Sequence, residues 1–507
     1  MATETAVKKS GFLAWIERVG NKMPHPFKMF MEITGFVLVC SLILGLMKVS
    51  AIHPATGETI TVVNLISIDG LLLFTGNFVK NFQNFPVLGI VIILGVFTGI
   101  CDRTGFFTTA IRMGLANVKG NAVVFIVAII GVLGNQAGDA SFILIPAITG
   151  AIFLGLGRHP LAGVFLGYAS VGGGYTTSLI PGGWDVILTP ITINAAQSMA
   201  PNFDMSLLSG YLMLFVSALL CATAATFVTV RVIEPMLGTY QPEGEIDVNT
   251  SVSPEEARAV KKTAYAVLAF LVLLVALCLP SNSFLRNAET GSLIFKAPLM
   301  ANMQFIVIVV FALCGLVYGA SVGKIRSIDD MAKLMEESVK TLAPFIVLAI
   351  VIGQFLFLFD QSKLGQVLAI RGGQFLASLP VPTQVIIIFF FILTAVVNLF
   401  IGSGGTKWLL MGPIFVPMLM QLNIHPAFIQ IVYRLGDCAT NHLTPLFAYF
   451  AILLTTTQKY DKNAGMGTLF SAMLPYSAVF LLVYAAQIFL WMTFNLPTGF
   501  GGGVWLR

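Results

Sequence analysis

The chain has 507 residues, 57% of them hydrophobic and only 10% charged, which is too little polar surface to clothe a water-soluble globule of this length. The formal charge of +5 comes from lysines and arginines gathered beside apolar runs, and that placement explains it better than nucleic-acid binding, which is not expected. The chain reads as an all-α, polytopic membrane protein. It has no GxxxxGK phosphate loop ending in Ser or Thr, so direct ATP drive is not expected and an ion gradient is the energy source.

In chain order, residues 1–28 carry Lys8, Lys9, Arg18, Lys22 and Lys28, which places this segment in the cytoplasm by the positive-inside rule. The first apolar run, Met29 to Met47, lacks a small-residue cleavage site and is expected to stay in the mature protein. Further runs occur at Pro86 to Cys101, Leu207 to Val230, Ala264 to Pro280, Phe305 to Gly319, Ala343 to Phe359, Val385 to Phe400 and Phe470 to Phe494. With the interrupted segments described below, these predict roughly nine transmembrane helices plus two re-entrant hairpins.

Two membrane halves are expected, 29–230 with a hairpin at 134–157 and 263–507 with a hairpin at 402–420. A polar linker, 231–262, separates them. Near its end, Ser253-Pro254-Glu255-Glu256 reads as a helix start, with Ser as cap, Pro at the first helical position and acids in the first turn. The polar stretch Lys324 to Lys340 reads either as an interfacial amphipathic helix or as a solvated connector.

The most informative feature is a doubled pattern. In each half a short polar break (Gly134-Asn135-Gln136-Ala137-Gly138-Asp139; Gly402-Ser403-Gly404-Gly405-Thr406) leads into an apolar stretch interrupted by proline, Pro146 in one and Pro413 and Pro417 in the other. Then come His159-Pro160 or His425-Pro426, a second apolar half-segment, and a second break at Gly172-Gly173-Gly174 or Gly436-Asp437-Cys438. Gly/Pro-interrupted segments at matching positions of two halves mark the midplane binding site of a secondary transporter.

Ionisable groups at bilayer depth are costly unless paired, wet or ligand-bound, so each is a functional candidate. Asn135 and Asp139 in the first break are candidates for ion coupling, with Asp139 reading equally as a helix cap. Arg434 and Asp437 are three residues apart, so an ion pair is geometrically available to them, either neutralising two buried charges or exchanging partners with a carboxylate substrate or a proton. Trp408 reads as an interface anchor or, in a re-entrant hairpin, as a flat face for an aromatic substrate, and Trp184-Asp185 carries the same ambiguity. Asn398 could offer an amide oxygen to an ion or make an interhelical hydrogen bond. His159 and His425 read as turn residues, and the chemistry of His442 stays open. Cys40, Cys101, Cys221, Cys278 and Cys314 lie in or beside apolar runs and Cys438 in the second break, with no spacing that suggests zinc or an iron–sulfur centre, and no cofactor beyond a coupling cation is expected.

Several motifs in this order, Val19-Gly20-Asn21-Lys22-Met23-Pro24-His25-Pro26, Gly157-Arg158-His159-Pro160, Pro413-Ile414-Phe415-Val416-Pro417-Met418 and Arg434-Leu435-Gly436-Asp437, resemble the p-aminobenzoyl-glutamate transporter (AbgT) family. The resemblance spans nearly the whole chain. It implies an elevator-like carrier of the ion-transporter superfamily, with inverted repeats, working as a homodimer in the bacterial inner membrane. It further implies uptake of p-aminobenzoyl-glutamate, or export of p-aminobenzoate and sulfonamides. On matching positions it carries a site role to Asp185, Trp408, Pro426, Arg434, Asp437 and Pro445, and cation contacts, Na⁺ among them, to Asn398 and Asp437. This chain departs from the pattern at Ala137-Gly138-Asp139-Ala140, where some relatives have Ser-Ser-Asp-Ala, and at Gly405, which joins the substrate-site candidates at a position where serine or alanine can occur.

The expected function is Na⁺- or H⁺-coupled secondary transport of a small aromatic carboxylate, and the chain is not expected to be an enzyme. The alternatives are an intramembrane enzyme, for which no G-x-S-x-G elbow stands out, Gly402-Ser403-Gly404-Gly405 departing from it, and a channel for small anions, which would show continuous polar stripes in place of two central breaks.

Overall fold

The computed structural model describes residues 26–52, 57–85, 88–116, 123–138, 140–177, 179–240, 252–293, 297–401, 403–444 and 449–506. The first half runs α1 (Pro26–Leu46), strands β1 (Ser50–Ile52) and β2 (Thr59–Thr61), α2 (Ile68–Gln83), α3 (Leu88–Thr104), α4 (Phe106–Ala116) and α5 (Val123–Leu133). A 3-10 turn (Gly134–Ala137) leads on to α6 (Ala140–Gly155), α7 (Pro160–Gly173), α8 (Gly183–Gln197) and α9 (Tyr211–Val228). The second half runs α10 (Pro254–Cys278), α11 (Met303–Ser321), α12 (Ile328–Gln361), α13 (Leu364–Ser378), α14 (Thr383–Asn398), α15 (Gly404–Met420), α16 (Pro426–Thr440), α17 (Tyr449–Gln458) and α18 (Met466–Phe494). The strands pair antiparallel, with Ser50 opposite Thr61.

Seven described helical stretches are long and apolar enough to cross a bilayer. Four shorter apolar helices, Val123–Gln136, Ser141–Gly155, Pro160–Gly173 and Thr383–Asn398, gather at the centre. There, neighbouring helices supply the partners that a broken helix end needs inside a membrane.

The contacts between elements exchange between the halves in a two-fold pattern. Within each half the hairpin helix packs on the next helix, α6 on α7 and α15 on α16, and the preceding helix joins them, α5 on α7 and α14 on α16. Across the halves, α6 packs on α17 while α15 packs on α8, and α7 on α18 while α16 packs on α9. The self-related pairs α7·α16 and α9·α18 lie between them. Every residue of α7 and of α16 is buried, so these two broken helices form the axis of the molecule.

Small residues permit this closeness. A Cβ on Gly163 would fall 2.4 Å from the Thr149 carbonyl oxygen, and one on Gly167 2.4 Å from Thr149 Oγ1. The Gly163-x-x-x-Gly167 spacing thus brings α7 against α6, and Thr149 Oγ1 donates to the Gly163 carbonyl at 2.8 Å. At the crossing of the halves, a Cβ on Gly172 would meet His442 Cβ at 2.7 Å and its backbone nitrogen at 3.0 Å.

The His-Pro motifs are helix starts. His159 and His425 are N-caps whose Nδ1 atoms accept from Leu161 N (3.3 Å) and Ala427 N (3.1 Å), with proline at the first helical position. Positive φ at Gly157 (69°) and Asn423 (63°) turns the chain before each. Arg158 also clamps Glu234 through two 2.7 Å bonds, tying the first turn to the helical segment that continues beyond α9.

The helix start at Ser253 forms as expected, with Ser253 Oγ accepting from Glu256 N at 3.1 Å and Glu256 Oε2 from Ser253 N at 3.0 Å. The polar stretch after Lys324 is helical, as one of its two readings had it, but it is no separate element. From Ile328 it forms the first turns of the 34-residue α12, because Ser327 and Asp330 make a capping box and the helix then runs on through Pro344 to Gln361. Residues 254–262 of the expected linker are likewise the start of α10.

Candidate substrate and ion site

The two halves meet at a cluster of four charged side chains. Arg434 and Asp437 stand one turn apart on α16, fully buried, yet they do not pair with each other. Arg434 reaches into the first half, with Nη1 donating to Asp185 Oδ1 and Nε to the Thr176 carbonyl, each at 2.6 Å. That carbonyl is available because the chain has left the α7 helix there. Asp185 lies in the first turn of α8, where its Oδ2 accepts from Gly182 N at 2.9 Å, so one carboxylate caps a helix and holds the guanidinium. Thr176 binds α16 in return, its Oγ1 donating to the Arg434 carbonyl at 3.1 Å and its N–H to Cys438 Sγ at 3.3 Å.

Asp437 pairs instead with Lys407, Oδ1 to Nζ 2.5 Å, in the first turn of the hairpin helix α15. The pair expected between Arg434 and Asp437 is thus replaced by two pairs. The reason is that both side chains project from a fully buried helix toward different neighbours, Arg434 to the first break and Asp437 to the second hairpin. Lys407 also donates to Asn398 Oδ1 and, at 3.3 Å, to the Ile401 carbonyl. Asn398, at the end of α14, donates its amide to the Asp437 carbonyl (2.9 Å) and to Thr440 Oγ1 (3.1 Å). Interhelical hydrogen bonding and an oxygen turned toward a cation therefore coexist in that one side chain. Asp437 Oδ2 is buried without a hydrogen-bond partner, beside Gly404.

Trp408 sits deeper than either of its expectations. It is wholly buried, its ring 4.3 Å from that of Tyr433, with Nε1 donating to Thr192 Oγ1 at 3.0 Å. Gln430 Nε2 shares that hydroxyl at 2.8 Å, and the Tyr433 hydroxyl donates to the Gly404 carbonyl. The ring beside the hairpin tip is that of Trp184, half-buried, which would lie 3.7 Å from a Cβ at Gly404 and 3.9 Å from one at Gly405.

Asn135 occupies in the first half the place Asn398 has in the second, donating to the Thr177 (2.5 Å) and Gly174 (3.3 Å) carbonyls of its own broken helix. Pro426 begins α16 and so stands about 12 Å along the helix from Arg434. Asp139 and Pro445 lie outside the described residues. Among the described residues, no group of three or more His, Cys, Asp or Glu side chains is placed to hold a metal. Sequence reasoning missed Lys407, Thr176, Thr192, Gln430 and Tyr433. Of these only Lys407 carried a signal, as a lysine inside an otherwise apolar hairpin.

A polar cavity of about 450 Å³ opens at the other end of α8, between Asn194, Ser198, Asn81, Gly353 and Pro413. Asn194 is about 13 Å along α8 from Asp185.

The family model for the AbgT putative transporter family matches residues 11–506. The chain belongs to the AbgT transporter family. It is 31% identical to the p-aminobenzoyl-glutamate transport protein of Escherichia coli (strain K12) over 503 residues, 99% of this chain and 98% of that one. Two solved structures superimpose with a TM-score of 0.88 each. The YdaH transporter of Alcanivorax borkumensis is 33% identical, the match covering 94% of this chain and all of that one. MtrF of Neisseria gonorrhoeae, described as illuminating a class of antimetabolite efflux pumps, is 34% identical, with 95% and 97% covered. These AbgT relatives are transporters, and this chain is a multi-pass membrane transporter of the same family.

Proposed function

We propose that this chain is a secondary carrier of a small aromatic carboxylate of the p-aminobenzoate or p-aminobenzoyl-glutamate type, driven by a Na⁺ or H⁺ gradient. It works as a homodimer in the bacterial inner membrane with its N-terminus in the cytoplasm. The observation that carries the reading is the Arg434–Asp185 pair, in which a buried guanidinium donates to a carboxylate oxygen at 2.6 Å where both halves break. A carboxylate substrate is a like-for-like competitor for that guanidinium, and an Asp185 that gives it up still accepts from Gly182 N at the start of α8. The relative named for p-aminobenzoyl-glutamate transport and the efflux-pump relative support the substrate class. Asp437, with Asn398, carries the coupling. The direction of transport follows the imposed gradients and relative affinities.

Flux of radiolabelled p-aminobenzoate and p-aminobenzoyl-glutamate into proteoliposomes, with Na⁺ and pH gradients imposed separately and in both orientations, tests this. Accumulation that depends on one gradient is the expected result. No flux of either compound under any gradient would rule out the substrate class.

A further inference from the structure

The oxygens that family resemblance assigns to a Na⁺ ion already hold a cation. Asn398 Oδ1, Asp437 Oδ1 and the Ile401 carbonyl converge on Lys407 Nζ, and the ring of Tyr433 faces the same ammonium at 5.9 Å from its centroid. A lysine ammonium has three N–H donors and no acceptor. Here each of the three acceptors faces it, and the aromatic face covers a further side. Lys407 and Asp437 are both wholly buried, so the arrangement is a sealed seat and not a surface ion pair.

Charge balance agrees. Among the described residues of the cluster, Lys407 and Arg434 are matched by Asp437 and Asp185. A Na⁺ ion added to the same oxygens would stand within a few ångströms of the ammonium, in a region with no further described carboxylate to offset it, and like charges so close in a poorly polarisable interior repel strongly. The residues present therefore do not fit a free Na⁺ at Asn398 and Asp437 while Lys407 remains in place.

We propose that Lys407 is the resident cation of this site, a tethered ammonium that occupies the Asn398–Asp437–Ile401 oxygen seat and excludes Na⁺ from it. The inference concerns this seat alone and holds whatever organic substrate is carried; it narrows coupling at Asp437 and Asn398 to a proton and leaves any Na⁺ coupling to oxygens elsewhere. It makes residue 407 the determinant of ion selectivity. With a lysine the seat is filled from within, and with a short neutral side chain it becomes an empty oxygen cage beside an uncompensated carboxylate.

The test uses purified full-length protein in detergent and Na⁺ alone as the probe. Thermal stability and equilibrium ²²Na⁺ binding are measured in NaCl and in choline chloride of equal ionic strength. Wild type should show no Na⁺-specific shift and no saturable Na⁺ binding that depends on Asn398 or Asp437. Lys407→Ala should be less stable than wild type in choline and should gain a saturable, Na⁺-specific stabilisation that Asp437→Asn removes when added to it. Lys407→Gln is read in its place if the alanine variant does not fold. Saturable Na⁺ binding by wild type that Asn398→Ala or Asp437→Asn abolishes would overturn the inference. So would a folded Lys407 variant that acquires no Na⁺ response. Both readouts are independent of transport, so failure of the proposed substrate and failure of this inference give different results.

Discussion

Arg434 and Asp185 are 249 residues apart in the chain and meet at 2.6 Å, while Asp437, one turn from Arg434 on the same helix, meets Lys407 of the second hairpin at 2.5 Å. The two charges of α16 are thus divided between the halves. Freeing the guanidinium for a substrate breaks a bond between the halves. Disturbing Asp437 loosens the hairpin of its own half.

Removing one partner of such a pair leaves a buried charge uncompensated, which costs about 3–5 kcal/mol. Asp185→Asn is therefore expected to lower the melting temperature of the purified protein clearly. Arg434→Lys keeps the charge but loses the planar fork that also binds the Thr176 carbonyl, and is expected to raise the substrate concentration for half-maximal flux by roughly tenfold or more, a loss of about 1.4 kcal/mol. Unchanged melting in the first variant together with unchanged flux in the second would refute the role given to this pair.

Asp437→Ala should abolish gradient-driven accumulation while leaving a folded protein, and normal gradient-driven flux in that variant would refute the coupling role. The double variant Lys407→Met with Asp437→Leu replaces both charges by apolar groups. Such replacements are often neutral or stabilising, so its thermal stability should recover relative to either single change while coupled transport stays absent. Recovery of transport along with stability would show that the pair serves structure alone.

Gly172 and Gly405 should respond oppositely to a small side chain. Gly172→Ala drives a Cβ to within 2.7 Å of His442 Cβ at the crossing of the halves, and is expected to cost about 1–3 kcal/mol as overpacking. Gly405→Ser points toward the Trp184 ring at 3.9 Å and should fold normally. Melting curves of the two variants side by side check this.

His425 caps α16 with a lone pair, and burial pushes its pKa down from the ordinary 6.5 to about 4. A folded-state pKa below the unfolded one means the unfolded chain binds more protons between these values, so the contribution is present above about pH 6.5 and is lost as pH falls toward 4. The apparent melting temperature should drop across that window, and His425→Asn, which caps without titrating, should flatten the drop. An unaltered pH profile in the variant would assign the acid sensitivity to other groups.

Much of the layout was legible from residue order, because bilayer burial is a strong and local constraint. Apolar runs marked the long helices, paired Gly/Pro breaks marked the two hairpin regions, and Ser253-Pro254-Glu255-Glu256 marked a helix start that forms with its capping box. The shared His-Pro motif proved to be one device used twice, an imidazole cap with a proline behind it. Asn398, Arg434 and Asp437, singled out as polar groups in apolar stretches, are buried, since a charge or amide there stands out by composition alone, and so is Asp185, which the family resemblance pointed to.

What residue order determined, then, was membrane class, the repeated break pattern and the short roll of polar groups held at depth. Tertiary structure decided which of them touch. Spacing put Arg434 next to Asp437, but a helix turn only makes a pair available, and the partners came from other elements, Asp185 from α8 of the opposite half and Lys407 from the hairpin helix α15 of the same half. Trp408 likewise read as an interface anchor or a substrate-facing ring and is sealed between Tyr433 and Thr192, because burial of an aromatic ring depends on what the rest of the fold lays over it. Partner choice is a long-range property, set where broken helices from two halves expose carbonyls, caps and charges to one another, and local pattern does not encode it.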